Sequence, residues 1–144
     1  MGQFRRFIAL SARERRALLR AALAVASARI ALWVLPFRRV CGLVRGLAVN
    51  ANVREDVPVD LLEWSVQVVA RRIPMASCLT QALALQWLLA RAGHRASLCI
   101  GVAKGEARGF ESHAWVESRG EILLGSTGGV NGFARIITLL PQQQ

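Results

Sequence analysis

The sequence predicts an α+β fold in which a helix that opens with a cysteine packs on a small antiparallel sheet. Three observations lead to this prediction. Residues 78–92 have the apolar pattern of a buried helix, residues 96–124 alternate as short strands do, and residues 1–50 form an arginine-rich helical region ahead of both. We therefore divide the chain into a basic helical region, residues 1–50, and a core domain, residues 51–144.

The basic region is expected to contain one long helix and one short helix. Ser11 and Glu14 have the spacing of a capping box, and Pro36 ends the helical pattern over residues 11–35. A broad apolar side is formed by Leu18, Leu19, Ala22, Leu23, Ala26, Ile30, Trp33 and Val34. A second, short basic helix is expected over residues 37–47. We interpret the long helix as packing on its own domain, with binding to a membrane surface or to a partner as the alternative.

The positive charge of the chain is concentrated in its first third. The net charge is +10, and residues 1–50 hold ten arginines against one glutamate. Such a region attracts an acidic partner, an anionic lipid surface or nucleic acid. No interleaving of aromatic and basic residues supports nucleic acid. Arg20 and Arg29 interrupt the long helix, which argues against a membrane span and against a signal peptide.

Composition narrows the class of protein further. The chain has 144 residues, of which 53% are apolar, enough for one ordered domain with a modest core. Its three cysteines have no paired spacing, which argues against a disulfide scaffold or a zinc site and favours a cytoplasmic location. Motifs for phosphate loops, dinucleotide binding and zinc proteases are missing, so neither a cofactor nor a metal is expected. Association with a membrane surface remains the alternative for location.

The cysteine helix, residues 78–92, carries the first candidate for chemistry. Pro74 blocks helix formation before it, Ser77 is placed to cap it, and Gly93 ends it. Cys78 then lies in the first turn. A cysteine at a helix N-terminus faces unpaired N–H groups and the positive end of the helix dipole, which favour a thiolate and can also hold an oxyanion.

The other elements of the core domain follow from pattern. A polar connection over residues 50–58 leads to a helix over residues 59–72. Strands are expected over residues 96–103 and 111–117, and a last strand over residues 133–140. On the first strand, one face is expected to be formed by Ala96, Leu98, Ile100 and Val102.

The second strand carries the better placed of only two histidines. One face of this strand is formed by His113, Trp115 and Glu117. If the following loop has three residues, Glu117 pairs with Glu121 and His113 lies opposite Gly125. A carboxylate or amide at that position would orient the imidazole. The chain has glycine there, with Ser126 beside it.

Taken together, these residues resemble the leader peptidase of lasso peptide biosynthesis, a transglutaminase-like and papain-like cysteine protease. The resemblance covers about residues 59–125 in order and spacing. It is carried by Pro74, Cys78-Leu79, the apolar helix at 82–89, Arg91-Ala92-Gly93, the strand at 98–102 and His113-Ala114-Trp115-Val116-Glu117. The short, arginine-rich front is similar to the stand-alone version of the peptidase, in which a separate small protein binds the leader.

The resemblance implies a concrete activity. Cys78 would be the nucleophile and His113 its general base and acid, cutting a ribosomally made precursor peptide between leader and core. The Cys78 backbone N–H would hold the oxyanion, with Gln81 or a residue before the helix as the second donor. The implied partners are the precursor, the leader-binding protein and an ATP-dependent lasso cyclase that closes the ring.

The third catalytic residue departs from the family's pattern. The family's triad usually ends with an acidic residue on the strand after the histidine strand, and alignment places it at Gly125. A Cys-His dyad, or a main-chain or water partner for His113, is therefore favoured over Asn131, Ser126 and Glu117. Glu117 shares the face of His113 but lies roughly 13 Å along the strand.

Two other classes of function stay open beside the protease. One is a catalytically weak scaffold that holds the precursor for the cyclase, and the other is a basic adaptor at a membrane surface. Four residues also have a structural interpretation: His94 as a C-terminal capping residue, Cys99 as packing, Cys41 as a bystander in the basic region, and Trp115 as core or as the wall of a cleft.

Overall fold

Four helices and four strands make up the part of the chain that the computed structural model describes, namely residues 9–49, 57–104, 109–124 and 134–139. The helices are α1 (Ala12–Val34), α2 (Phe37–Val49), α3 (Val59–Ala70) and α4 (Cys78–Arg91). The strands are β1 (Ser97–Lys104), β2 (Phe110–Ser118), β3 (Glu121–Leu123) and β4 (Ala134–Leu139). Each element lies within two or three residues of its predicted position, and the predicted α+β class is confirmed.

The N-terminus of α1 is fixed by the predicted capping box. The Glu14 N–H donates to Ser11 Oγ at 3.2 Å, and the Ser11 N–H donates to Glu14 Oε2 at 2.7 Å. The Ser11 hydroxyl also bonds the same carboxylate oxygen at 2.8 Å. The two bonds from Ser11 to this carboxylate, with the hydroxyl contributing most, favour its ionised form and lower the pKa of Glu14.

One side of α1 packs on α3 and α4 and is built mainly from small residues. Its buried positions are Ala17, Leu18, Ala21, Ala24, Val25 and Ala28. Alanines let helix backbones approach closely, so α1 lies tightly against the core cluster that also contains Leu83 and Leu89 of α4. The long helix packs on its own domain as interpreted, but the side expected to pack is wrong. Of the apolar side read from the sequence, Leu18 is buried, whereas Leu19, Leu23, Ile30, Trp33 and Val34 are exposed. The division of the chain at residue 50 stays a prediction, because residues 50–56 lie outside the described ranges.

The C-terminus of α4 closes as a glycine cap. Gly93 has a φ of 82°, a left-handed conformation that glycine adopts without a steric penalty, and the His94 N–H reaches back to the Leu89 carbonyl at 2.9 Å. The ring of His94 makes a second contact, since its Nε2 lies 2.8 Å from the carbonyl oxygen of Val57. His94 therefore caps α4 as predicted, and it also ties the end of α4 to the segment before α3.

The sheet is antiparallel, with strand order β3-β2-β1-β4. Leu98 pairs with Val116 and Ile100 with Ala114, and these residues join the core beneath α4. The predicted alternation of β1 is therefore confirmed. The pairing of β1 with β4 shifts by one residue between Ile100 and Gly101, a bulge of the kind that bends a strand locally.

The hairpin between β2 and β3 differs from the prediction. Ser118 pairs with Glu121, so the loop has two residues, Arg119 and Gly120, and the expected pair of Glu117 with Glu121 is wrong. Both loop residues have positive φ values, 52° and 83°, as in the tight turn whose twist matches that of paired strands. Glu117 instead pairs with Ile122.

The chain leaves this hairpin directly after β3. Leu124 has a φ of 56°, and its N–H donates to Glu63 Oε1 on α3 at 2.9 Å. The strand pairing that was expected to bring Gly125 opposite His113 therefore loses its basis. Gly125, Ser126 and Asn131 lie outside the described residues.

Candidate functional site

Cys78 is the first residue of α4 and is half-buried at the edge of the core. Ser77 caps the helix, because its Oγ accepts the Thr80 N–H at 3.3 Å and lies 3.0 Å from the Thr80 hydroxyl. The first bond within the helix runs from the Gln81 N–H to the Ser77 carbonyl at 3.0 Å. The N–H groups of Cys78 and Leu79 consequently have no acceptor inside the helix, and they are available to an oxyanion next to the thiol.

The loop that leads into Cys78 is held from two sides. Met75 has a φ of 61°, which is rare for a residue with a side chain and requires support from its neighbours. Gln81 Nε2 donates to the Ala76 carbonyl at 3.1 Å, and Arg29 Nη2 of α1 donates to Met75 Sδ at 3.7 Å. One N–H of Gln81, the second oxyanion donor considered from the sequence, is thus engaged in bracing this loop.

His113 lies in β2, half-buried, opposite Gly101 of β1. Its imidazole stacks with the indole of Trp115, with ring centroids 6.2 Å apart and planes inclined by 20°. The indole Nε1–H of Trp115 donates to Glu117 Oε1 at 2.9 Å. The carboxylate of Glu117 therefore fixes the ring that contacts the imidazole, although it lies too far along the strand to be the direct neighbour of His113.

Trp115 is the site residue that reasoning from the sequence assigned only loosely. Its side chain is 2% exposed, so it belongs to the interior rather than to an open cleft wall. The signal for its role was the spacing of His113, Trp115 and Glu117 at every second position of one strand, which places all three on one face. Spacing indicates a shared face, but the indole-to-carboxylate bond depends on side-chain conformation and could not be read from it.

Cys78 begins α4, and His113 lies in β2, a strand that packs against α4. At its C-terminal end β2 is tied to the segment after α4, because the Ser118 hydroxyl donates to the Arg95 carbonyl at 2.8 Å.

The face of β2 that turns toward α4 does not carry the imidazole. Ala114 and Val116 pack in the core with residues of α4, so His113 lies on the reverse face of the strand. Pairing of the Cys78 thiol with the His113 imidazole therefore stays a prediction.

The other two cysteines are less accessible than Cys78. Cys41 and Cys99 are buried, and none of the three takes part in a disulfide. Burial raises the pKa of the Cys41 thiol, an effect that the charge of Arg45 partly offsets. The interpretation of Cys99 as a packing residue is confirmed, whereas Cys41, interpreted as a bystander, belongs to the buried core cluster. Among the described residues, no group of three histidine, cysteine or acidic side chains is placed to hold a metal ion.

Comparison with known proteins gives a family for this arrangement. Searches of curated proteins and of solved structures found no match. The family model described as the transglutaminase-like superfamily matches residues 22–138, well over half of the chain and including most of α1. The cysteine-bearing helix on an antiparallel sheet agrees with that match. The chain belongs to the transglutaminase-like superfamily, which includes cysteine proteases and acyltransferases.

Proposed function

We propose that this chain is a cysteine endopeptidase that removes the leader from a ribosomally made lasso precursor peptide. The observation that carries the proposal is the position of Cys78, a half-buried thiol at the capped start of a helix. The N–H groups of Cys78 and Leu79 beside it have no acceptor within the helix. Membership of the transglutaminase-like superfamily supports a thiol nucleophile. The finer assignment to lasso leader removal rests on the sequence resemblance over about residues 59–125.

The mechanism is acyl transfer through the thiol. His113 takes the proton of Cys78, and the sulfur attacks the scissile carbonyl, whose oxygen becomes negatively charged. The backbone N–H groups of Cys78 and Leu79 stabilise that oxyanion, and the second hydrogen of the Gln81 side-chain amide is a further donor. The imidazolium of His113 then protonates the leaving amine. Water, deprotonated by the imidazole, hydrolyses the thioester and restores the thiol.

Trp115 and Glu117 take the part of the missing acidic residue in this proposal. The stacked indole restricts the imidazole of His113 to one ring plane. The bond from Trp115 to Glu117 holds the indole in that orientation. Glu117 thereby acts on His113 through Trp115, as a positioning residue.

Removing the Glu117 carboxylate is expected to slow the reaction without abolishing it. We expect Glu117→Ala to lower kcat about tenfold with little change in KM, because a misoriented imidazole affects proton transfer more than binding. Glu117→Gln, which keeps an acceptor oxygen for the indole, should recover most of the rate. The pH dependence of Cys78 alkylation should shift in the alanine variant only.

Glu121→Gln provides the matched control, since Glu121 is an exposed carboxylate on the neighbouring strand β3. Its rate and pH profile should equal those of the unmodified protein. If Glu117→Ala cleaves at the normal rate, with an unchanged pH profile of Cys78 alkylation, Glu117 has no role in positioning His113.

The direct test of the function is a reconstituted cleavage reaction. On this proposal, the reading frames next to this chain should encode a short precursor peptide, a small leader-binding protein and a large ATP-dependent cyclase. Incubation of the precursor with this chain and the leader-binding protein should give two products whose masses sum to the precursor plus one water. Cleavage at many bonds, or none with all components folded, would contradict the proposal. On this proposal the protein acts in the cytoplasm, where the precursor is made.

A further inference from the structure

The side of α1 that faces away from the core carries a continuous apolar surface. We call it the outer stripe, and it consists of Leu19, Leu23, Ile30, Trp33 and Val34. These side chains are between 59% and 81% exposed, and they share one side because a helix returns to it after about 4, 7 and 11 residues. The stripe runs about 22 Å along the helix. Exposed apolar surfaces of this extent mark sites of interaction.

The charges around the outer stripe are almost all positive. Together α1 and α2 carry eight arginines and one acidic residue, Glu14, whose carboxylate accepts a hydrogen bond from the Ser11 N–H. Arg15 and Arg16 lie before the stripe, and Arg38 and Arg39 lie beyond it, all four exposed. Long arginine side chains at the ends of an apolar helical surface can reach lipid phosphates while the apolar residues enter the acyl region.

The flank of the stripe next to α4 contains a basic cavity. It has a volume of about 140 Å³ and is lined by apolar residues together with Arg20 and Arg91. Leu23 of the outer stripe forms part of the wall, and the guanidinium of Arg91 lies 5.0 Å from the ring centre of Trp87. Two guanidinium groups beside an apolar wall suit a phosphate that is attached to a hydrocarbon chain.

The inner side of α1 must stay packed in the core when the outer stripe binds a partner. By length and composition α1 is able to cross a bilayer, and 28% of its apolar 18-residue stretch is buried in the protein. Its inner side, however, contributes the fully buried Ala21 and Val25 to the core, which spanning would expose. A helix that is anchored on one side and apolar with basic ends on the other is suited to lie flat in an interface.

We infer that the outer stripe and its arginines dock this protein on the surface of an anionic phospholipid bilayer. A protein partner is less favoured because the stripe is the convex side of a single helix rather than a groove, and because Trp33, 81% exposed, suits the interfacial layer of a membrane. Arg29 contacts Met75 in the loop before Cys78, so docking brings the candidate site to the membrane surface. The inference does not depend on catalysis.

The test is flotation of the full chain with lipid vesicles. The unmodified protein should float with vesicles of phosphatidylcholine and phosphatidylglycerol in about equal parts, and much less with phosphatidylcholine alone or at high salt. Leu23→Glu and Ile30→Glu should each reduce the bound fraction at least about tenfold. Cys78→Ala should float like the unmodified protein, which separates this inference from the proposed cleavage.

The matched control is Phe110→Glu, which changes an apolar residue of similar exposure, 84%, on β2 instead of α1. It should float normally, and circular dichroism should show that all variants are folded. Equal flotation of Leu23→Glu and Phe110→Glu, or no flotation of the unmodified protein, overturns the inference. A dimer that Leu23→Glu dissociates, without flotation, also overturns it and assigns the stripe to a second copy of the chain.

Discussion

Replacing Cys78 with alanine is expected to abolish cleavage of the precursor peptide, with a loss of at least about 10³-fold. The sulfur supplies the covalent step, and neither the helix N-terminus nor His113 replaces it. The fold should be retained, because Cys78 is half-buried at the edge of the core and the cap is made by Ser77 and Thr80. Product masses measured over time give the rate.

Thiol labelling provides a measurement that needs no substrate. Iodoacetamide should add one group to the native protein, on Cys78, because Cys41 and Cys99 are buried. At neutral pH Cys41 is protected twice, since burial also raises the pKa of its thiol and keeps the reactive thiolate scarce. In denaturant all three cysteines should react.

The control for the Cys78 variant is Cys41→Ala, which removes another thiol of the same chain. Its cleavage rate should match that of the unmodified protein, with a modest loss of stability from the buried position. Normal cleavage by Cys78→Ala would exclude a cysteine mechanism. Labelling of Cys41 or Cys99 in preference to Cys78 would show that Cys78 is not the accessible thiol.

The elements that could be predicted from the sequence are those with local determinants. Ser11, Ser77 and Gly93 act within four or five residues of themselves, so the ends of α1 and α4 fall where the pattern places them. The alternation of Leu98 and Ile100 likewise follows from a period of two. These features need no knowledge of the rest of the chain.

The features that escaped prediction depend on contacts distant in sequence. Ser118 has the composition of a turn, yet its buried hydroxyl bonds the Arg95 carbonyl, which keeps it in β2 and shortens the loop to two residues. The N–H of Leu124 is drawn away from the hairpin by Glu63, 61 residues earlier.

The two sides of α1 were another such case. Periodicity selected the side with the large apolar residues, among them Leu19, Ile30 and Val34, and that selection is wrong because these three are exposed. The structure turns the alanine-rich side inward, where α3 and α4 approach closely, and leaves Leu23 and Trp33 outside. The choice is made by packing distance, which a sequence pattern does not contain.

The second large effect is expected at the histidines, and the chain offers an internal comparison because it has only two. His113→Ala should lower the cleavage rate by about 10²- to 10⁴-fold, since it removes the proton acceptor for the thiol and the donor for the leaving amine. The alkylation of Cys78 should slow at neutral pH and recover in alkaline solution, where hydroxide ionises the thiol.

His94→Ala is the matched control, because it removes an imidazole that makes a structural contact. Its Nε2 lies 2.8 Å from the Val57 carbonyl, and loss of that hydrogen bond should lower the free energy of unfolding by about 1 kcal/mol. The urea midpoint should fall, while the pH dependence of Cys78 alkylation stays unchanged. The two variants thus separate an effect on stability from an effect on proton transfer.

The comparison is decisive because of the side of β2 on which His113 lies. Ala114 and Val116 face α4, so the imidazole of His113 lies on the reverse face of the strand, where it stacks with Trp115. If His113→Ala cleaves at the normal rate while Cys78→Ala is inactive, the nucleophile has another base and the stack with Trp115 is structural. If His113→Ala loses both the cleavage rate and the neutral-pH alkylation of Cys78 while His94→Ala keeps both, the sulfur and the imidazole work as a pair.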